Sequence, residues 1–353
     1  MSYRWEQDPQ DLFTERHAQM IGSGLPAEDV AAVRAAVTLM WPDRPGGWVH
    51  EWSALAARYA AEGLHSLAAS AYGYAKFPVL ADDAKRAALR HQTEQYVLAS
   101  AGFPVTFERR VLDIAHQGAT VPVPVHLYAA PGVGAQAPVL LASGGVDTWK
   151  TDLHQVMVTM ALNTGARVLA FDIPGTGENT SVPLGREGAE VIDGLIAAAR
   201  ALGNGTVAHL GISMGGYYSA YSGLSGKVDA AVVLGGPVEA TFARDRNWKF
   251  GMADIVGNAV GFDHQPTPGE LADRYASMSL RPLLDQDTNA PMLIVNGADD
   301  VHVPRPDTLV FEGRRDTEVH LLPDTGHCAV SKSGETIPLM VGWLTGQLGT
   351  TTA

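Results

Sequence analysis

The fold of this chain is decided by the stretch Thr206-Val207-Ala208-His209-Leu210-Gly211-Ile212-Ser213-Met214-Gly215. Its first five residues form a short, mostly apolar run of the kind found in buried strands. The Gly-x-Ser-x-Gly pattern that follows is typical of a sharp turn from a strand into a helix. Its glycines let neighbouring backbone pass close by, and the turn lifts the serine hydroxyl above the sheet. We therefore interpret Ser213 as a nucleophile.

Similar short apolar runs recur on both sides of this motif. They lie at 138–142, 167–171, 206–210, 230–234, 291–295 and 318–322. One helix between two of these runs is clear, because Val191, Ile192, Leu195, Ile196 and Ala199 share a face. Buried strands that alternate with helices predict an α/β fold with a mostly parallel sheet and helices on both faces. Alternating residues from Val105 to Ile114 and from Val121 to Ala129 predict an additional antiparallel pair of strands.

The chain divides into three kinds of segment. Residues 1–103 carry apolar residues at helical spacing and predict an N-terminal helical cap segment. Residues 104–236 and 286–353 contain all the predicted strands and form the predicted α/β core. Residues 237–285 have no strand pattern and are longer than a simple connection requires, so we predict a cap insertion there.

The partners that a nucleophilic serine needs follow later strands. Asp300 comes after the run at 291–295, and His327 comes after the run at 318–322. Parallel strands end at one edge of the sheet, so these side chains are expected near Ser213. His327 would accept the Ser213 proton, and the acid would orient and stabilise the imidazolium. We favour Asp300 because it stands four residues before a proline, in an Asp-x-x-Val-Pro arrangement, and keep Asp299 as the alternative.

Two backbone N–H groups are expected to stabilise negative charge on a reacting carbonyl oxygen. The first is that of Met214, directly after the nucleophile. The second should come from the loop Ser143-Gly144-Gly145-Val146-Asp147. We favour the Val146 N–H, with Gly145 as the second choice.

Composition excludes several other classes of protein. The net charge of −13 gives no basic surface for nucleic acid or anionic lipid. Cys328 is the only cysteine, which excludes a disulfide within the chain and a cysteine-based zinc site. The first residues lack the apolar core of a signal peptide, and no apolar run approaches the roughly 20 residues that span a bilayer. We expect a cytoplasmic protein that uses no cofactor or metal and acts on a small molecule.

Several motifs resemble those of a known group of α/β-hydrolases. They are Gly144-Gly145-Val146-Asp147-Thr148-Trp149-Lys150, Asp172-Ile-Pro-Gly-Thr-Gly-Glu178, Gly47-Trp48-x-x-Glu51-Trp52 and Ser70-Ala71-Tyr72-x-Tyr74-Ala75-x-Phe77. Together with the Ser–Asp–His order, they are similar to the family of fermentation-respiration switch proteins, 2,6-dihydroxypseudooxynicotine hydrolase and polyketide-shortening hydrolases. The resemblance runs from about Trp41 onward. It implies the α/β-hydrolase fold, a cap built from the front helices and the insertion, and a homodimer.

The resemblance also frames three hypotheses about function. The first is a serine hydrolase that cleaves an ester or lactone of a medium-sized, partly apolar substrate through an acyl-enzyme. The second is a carbon–carbon bond hydrolase of a β-diketone or aryl ketone, because some members of the family catalyse that reaction. A family member of that kind uses a cap glutamate, whose matching position here holds no glutamate, so Glu239, Asp245 and Trp248 are the substrate contacts to consider. The third is a binder that keeps the fold without catalysis.

Overall fold

The computed structural model describes residues 2–246 and 248–350. Its helices are α1 (Pro9–Gly22), α2 (Ala27–Ala36), α3 (Trp48–Ala61), α4 (His65–Lys76), α5 (Asp83–Ala99), α6 (His154–Asn163), α7 (Ala189–Leu202), α8 (Met214–Leu224), α9 (Met252–Ala259), α10 (Pro268–Ala276), α11 (Arg281–Leu284), α12 (Arg305–Leu309) and α13 (Ser333–Leu348). Its strands are β1 (Thr106–His116), β2 (Ala119–Ala129), β3 (Val139–Ser143), β4 (Arg167–Phe171), β5 (Val207–Ile212), β6 (Ala230–Leu234), β7 (Met292–Gly297) and β8 (Thr317–Leu322). Short 3-10 segments lie at Ser100–Gly102, Arg186–Gly188, Ala240–Phe242 and His327–Lys332.

The eight strands form one sheet in the order β1-β2-β4-β3-β5-β6-β7-β8. The pairs β1–β2 and β2–β4 are antiparallel, and all pairs from β4 to β8 are parallel. Each apolar run in the sequence coincides with a strand to within two residues at either end. The predicted α/β fold is confirmed, and β5, which carries the serine motif at its end, lies between β3 and β6.

Burial explains why the parallel strands are so apolar. Every residue of β3, β6 and β7 is buried, because neighbouring strands and helices leave neither face of the sheet in water. The edge strands differ: β1 has exposed residues along its length, and β8 is half-buried with one exposed residue. The sheet therefore gives the loops after β3, β5, β7 and β8 a rigid common base.

The chain divides into two compact units. One contains residues 2–103 and Phe250–Pro266, and the other contains the sheet, with residues from Pro104 to Lys249 and from Thr267 onward. Of the predicted cap insertion at residues 237–285, the stretch Phe250–Pro266 belongs to the first unit. The reason is local contact: within the first unit, the Tyr3 hydroxyl donates to the Asp254 carbonyl at 3.0 Å, and the Tyr3 N–H donates to Asn258 Oδ1 at 3.0 Å.

The first unit has an aromatic core of its own. Trp48 and Trp52, one turn apart on α3, are fully buried with Phe13 of α1. The Trp48 indole N–H donates to the Tyr74 carbonyl at 2.6 Å, so its polar atom is satisfied. No helix within residues 2–246 and 248–350 is long and apolar enough to cross a membrane.

Candidate active site

The serine motif forms a strained turn between β5 and α8. Ser213 has φ 56° and ψ −124°, a backbone conformation that L-residues adopt only where the surrounding structure enforces it. A Cβ on Gly211 would lie 2.1 Å from the Gly215 carbonyl oxygen, and one on Gly215 would lie 2.4 Å from that of Gly144. Both positions of the Gly-x-Ser-x-Gly pattern therefore require glycine for close packing, as the sequence motif predicts.

Ser213, His327 and Asp300 are joined by hydrogen bonds in that order, and we refer to them as the triad. The His327 Nε2 atom lies 2.8 Å from Ser213 Oγ, and Nδ1 lies 2.7 Å from Asp300 Oδ2. An ionised carboxylate can only accept, so Nδ1 donates to Asp300 and Nε2 is left to accept the serine proton. This is the geometry that a nucleophile, its base and an orienting acid require.

Asp300 is almost completely buried, with 1% of its side chain exposed. Its Oδ1 accepts the N–H groups of His302 at 2.7 Å and Val303 at 3.1 Å, while Oδ2 accepts from Asn296 at 2.9 Å. Burial alone raises the pKa of Asp300, but the hydrogen bonds and the nearby imidazole outweigh it and hold the pKa below its usual value. Asp300 is therefore charged when His327 needs its support.

The alternative acid, Asp299, lies elsewhere. Its side chain is 58% exposed and pairs with Arg305 at 3.4 Å. The adjacent position in the chain thus turns outward while Asp300 turns into the triad. The Asp-x-x-Val-Pro spacing favoured the residue that contacts His327.

Asn296, at the end of β7, is a site residue that the motif analysis missed. Its side-chain N–H donates to Asp300 Oδ2 at 2.9 Å, and its side-chain oxygen Oδ1 accepts the Cys328 N–H at 3.0 Å. One buried side-chain amide thus connects the loop after β7, which carries Asp300 (the acid loop), to the loop after β8, which carries His327 (the histidine loop). A signal was present in the sequence, because a polar residue that ends an apolar run at the active edge of a sheet needs a partner.

The loop after β8 continues through two residues in left-handed conformations. Cys328 has φ 55° and Ala329 has φ 49°, and both are buried. The Cys328 thiol contacts the Leu234 carbonyl at 3.4 Å, as expected for a packed residue rather than a second nucleophile. The Asn296 hydrogen bond to the Cys328 N–H stabilises this strained backbone beside His327.

Opposing effects set the pKa of His327. Burial lowers it by penalising the charged imidazole, but the side chains of Cys328 and Asp300 outweigh burial and raise the pKa above the usual 6.5. The site therefore favours the imidazolium that forms when Ser213 loses its proton.

The N–H groups of Met214 and Val146 donate to no acceptor among the described residues. Met214 begins α8, where the first N–H groups of a helix are unsatisfied. The Gly145 N–H is occupied, because it donates to the Thr148 carbonyl at 2.9 Å. A Cβ on Gly145 would lie 3.1 Å from Ser213 Cβ, so this loop passes directly beside the nucleophile.

Among the described residues, none of the three suggested substrate contacts touches a member of the triad directly. Glu239 pairs with Arg281 at 3.3 Å, and Asp245 is exposed. Trp248 packs edge-on against Tyr275, with ring centroids 5.5 Å apart.

A neighbouring residue that the sequence did not single out makes the connection instead. The Arg246 guanidinium donates to the carbonyls of Val301 and His302, the two residues after Asp300. It therefore anchors the segment after β6 to the acid loop.

The fold and the triad define a serine hydrolase of the α/β-hydrolase class. A family model for FrsA-like esterases matches residues 37–322, and the chain belongs to that family. Esterase FrsA of Photobacterium profundum is 22% identical over 308 residues, which cover 80% of this chain and 72% of that protein.

Solved structures agree on the fold. That of 2,6-dihydroxy-pseudo-oxynicotine hydrolase has a TM-score of 0.75 and 22% identity, covering 95% of this chain and 97% of its own. AbyA5 has a TM-score of 0.72 and 20% identity, covering 87% of this chain and 90% of its own. The resemblance noted in the sequence is confirmed.

Proposed function

We propose that this protein hydrolyses carboxylic esters or lactones through an acyl-enzyme on Ser213. The observation that carries the proposal is the continuous hydrogen bonding from Ser213 Oγ through His327 to Asp300, at 2.8 and 2.7 Å. The esterase family to which the chain belongs supports the same reaction.

The mechanism has two halves. Ser213 Oγ attacks the ester carbonyl carbon while His327 Nε2 takes its proton, and the carbonyl oxygen becomes an oxyanion that accepts from the Met214 and Val146 N–H groups. The C–O bond to the alcohol then breaks, and the alcohol leaves with the proton from His327. In the second half, water attacks the acyl-enzyme carbonyl while His327 takes its proton. The bond to Ser213 Oγ then breaks, which releases the carboxylic acid, and His327 returns the proton to the serine.

An ester fits the arrangement better than a carbon–carbon bond. Cleavage next to a ketone leaves a carbanion or enolate, which requires a proton donor placed at carbon. Neither candidate for such a donor fits, since Glu239 is paired with Arg281 and Asp245 is exposed to solvent. The leaving oxygen of an ester needs only the proton that His327 already carries.

Aromatic residues that follow the turn between β5 and α8 support a partly apolar substrate. Tyr217 of α8 contacts Phe242, with ring centroids 5.8 Å apart, and Phe242 contacts Tyr275 at 6.3 Å. The three rings are buried, so the protein that packs against α8 is apolar.

A panel of substrates tests the proposal. Purified protein is assayed with p-nitrophenyl esters of increasing chain length beside β-diketones and acylphenols, and with a fluorophosphonate that labels activated serines. We expect turnover of the esters and labelling at Ser213, with Ser213→Ala losing both and at least about a thousandfold in kcat. Activity confined to the ketones would favour the carbon–carbon alternative.

An unlabelled, folded protein with no turnover would favour a binder without catalysis. The intact triad speaks against that interpretation, because a binding function alone does not require a hydrogen-bonded serine and histidine. The same labelling experiment therefore separates the enzyme from the binder.

We further propose a small-molecule substrate, a cytoplasmic location and a homodimer, with no nucleic-acid or membrane partner. The net charge of −13 supports the absence of a nucleic-acid or membrane partner, and the single cysteine supports the cytoplasmic location. Light scattering on the purified protein measures the oligomeric state, and a mass of one chain would contradict the dimer.

A further inference from the structure

The two loop motifs that mark the family resemblance meet at a buried cluster of charges. Lys150 ends the first motif, and Asp172 and Glu178 begin and end the second. The Lys150 ammonium lies 2.6 Å from Asp172 Oδ2 and 2.8 Å from Glu178 Oε2, and only 2% of the Lys150 side chain is exposed. Arg109 of β1 completes the cluster, at 2.7 Å from Glu178 Oε1.

The cluster is balanced, with two cations and two carboxylates. Burial alone lowers the pKa of Lys150, but the two carboxylates outweigh it and raise the pKa, so the ammonium stays charged. Burial likewise raises the pKa of Glu178, but Lys150 and Arg109 outweigh it and lower the pKa. None of these four side chains is a member of the triad, so the proposed chemistry leaves the cluster without a role.

Lys150 also fixes the backbone of the loop that follows β3. Its N–H donates to Asp172 Oδ1 at 2.9 Å while its ammonium binds Oδ2, so one carboxylate holds both ends of the residue. The preceding residue, Trp149, is buried, and its indole N–H donates to the Val146 carbonyl at 3.1 Å.

These contacts restrict one particular peptide group. The Val146 N–H belongs to the peptide between Gly145 and Val146. The preceding peptide is fixed because its N–H, that of Gly145, donates to the Thr148 carbonyl. The following peptide is fixed because its carbonyl, that of Val146, accepts from the Trp149 indole N–H. The Val146 N–H therefore lies between two fixed peptides, beside Ser213.

We propose that Trp149 and Lys150 are positioning residues that aim the Val146 N–H at the oxyanion, with Lys150 anchored on the buried carboxylates of Asp172 and Glu178. The inference rests on the proposed function, because an oxyanion forms only if Ser213 attacks a carbonyl. A donor contributes to catalysis when it is fixed before charge develops, so loosening this loop should affect the transition state more than substrate binding.

The variant Trp149→Phe tests the indole contact with little change in volume. We expect kcat for p-nitrophenyl butyrate to fall about 10-fold while KM changes less than about 2-fold, since the donor is misaimed rather than removed. Inhibition by trifluoroacetophenone, which forms an anionic adduct on serine, should weaken by about the same factor. The matched control is Trp343→Phe, which loses an indole hydrogen bond to Glu318 on the surface and should leave both quantities unchanged.

The variant Lys150→Met tests the anchor, and Lys227→Met, which breaks the half-exposed pair with Asp193, is its control. If Lys150→Met does not fold, Trp149→Phe still decides the proposal. Unchanged kcat and inhibition in Trp149→Phe, with the wild type labelled at Ser213 by a fluorophosphonate, would overturn the positioning role and leave the esterase proposal intact. Absence of that labelling in the wild type would overturn both.

Discussion

The loops that carry the triad and the loops that carry the oxyanion donor are held by different interactions. On the acid–base side, one buried carboxylate, Asp300, is surrounded by uncharged donors from Asn296, His302 and Val303. On the oxyanion side, Lys150 joins the two loops through ion pairs with Asp172 and Glu178.

The difference follows from what each side must do. Hydrogen bonds from neutral donors keep Asp300 ionised without cancelling its charge, so that charge remains to stabilise the His327 imidazolium. The opposite side needs a fixed backbone and no net charge next to a developing oxyanion. A balanced ion cluster fixes the loop while its charges cancel, so the Met214 and Val146 N–H groups determine the local field.

The largest expected effect comes from removing the negative charge of Asp300 on the acid–base side. Asp300→Asn should lower kcat by about 10³- to 10⁴-fold, because an amide no longer fixes the imidazole tautomer or stabilises its charge. Asp299→Asn is the control and should remain near wild type, since that side chain is exposed. Steady-state kinetics with p-nitrophenyl esters measure both, and a larger loss in Asp299→Asn would transfer the acid role.

A second experiment breaks the ion cluster and measures stability instead. Lys150→Met leaves two buried carboxylates short of a cation and should destabilise the protein by about 3–5 kcal/mol. Lys227→Met removes a half-exposed ion pair and should cost at most about 1 kcal/mol. Urea unfolding of the two variants gives the comparison, and equal losses would show that the buried cluster is no more important to the fold than a surface pair.

A smaller effect should come from the amide that bridges the two triad loops. Asn296→Ala leaves the Cys328 N–H without its acceptor and Asp300 without one donor, which should cost about 1–3 kcal/mol in stability and about tenfold in kcat. Asn289→Ala is a matched control, because the Asn289 side chain also hydrogen-bonds to its neighbours, donating to the carbonyls of Ala290 and Arg315, but lies just before β7. It should lower stability without changing kcat; if both variants lose stability alone, Asn296 has no part in positioning the triad.

The smallest expected effect is a shift in pH dependence. His327 must be neutral to accept the Ser213 proton, so activity falls as the pH falls through the His327 pKa. Since Cys328 and Asp300 raise that pKa against the effect of burial, the half-maximal point of kcat/KM should lie above pH 6.5. A pH profile of kcat/KM for a p-nitrophenyl ester measures it, and a midpoint at or below 6.5 would contradict the raised pKa.

Much of the site could be predicted because its parts are local in sequence. The strand-turn-helix pattern around Ser213 and the Asp-x-x-Val-Pro spacing around Asp300 each depend on a few adjacent residues. The rule that parallel strands end at one edge then places His327 close to both. Glu239, Asp245 and Trp248 could not be placed this way, because no repeating pattern fixes the path of the segment after β6.

The sequence by itself determined the sheet, the nucleophile and the order of its partners, because apolar periodicity and turn residues act over short distances. Tertiary structure alone decided that Asn296 bridges the acid and base loops, that Arg246 anchors the acid loop, and that Lys150 meets Asp172 and Glu178. Each of these contacts joins residues from separate strands or loops. The physical reason is that a buried polar group must find a partner, but only the folded chain determines which partner lies within reach.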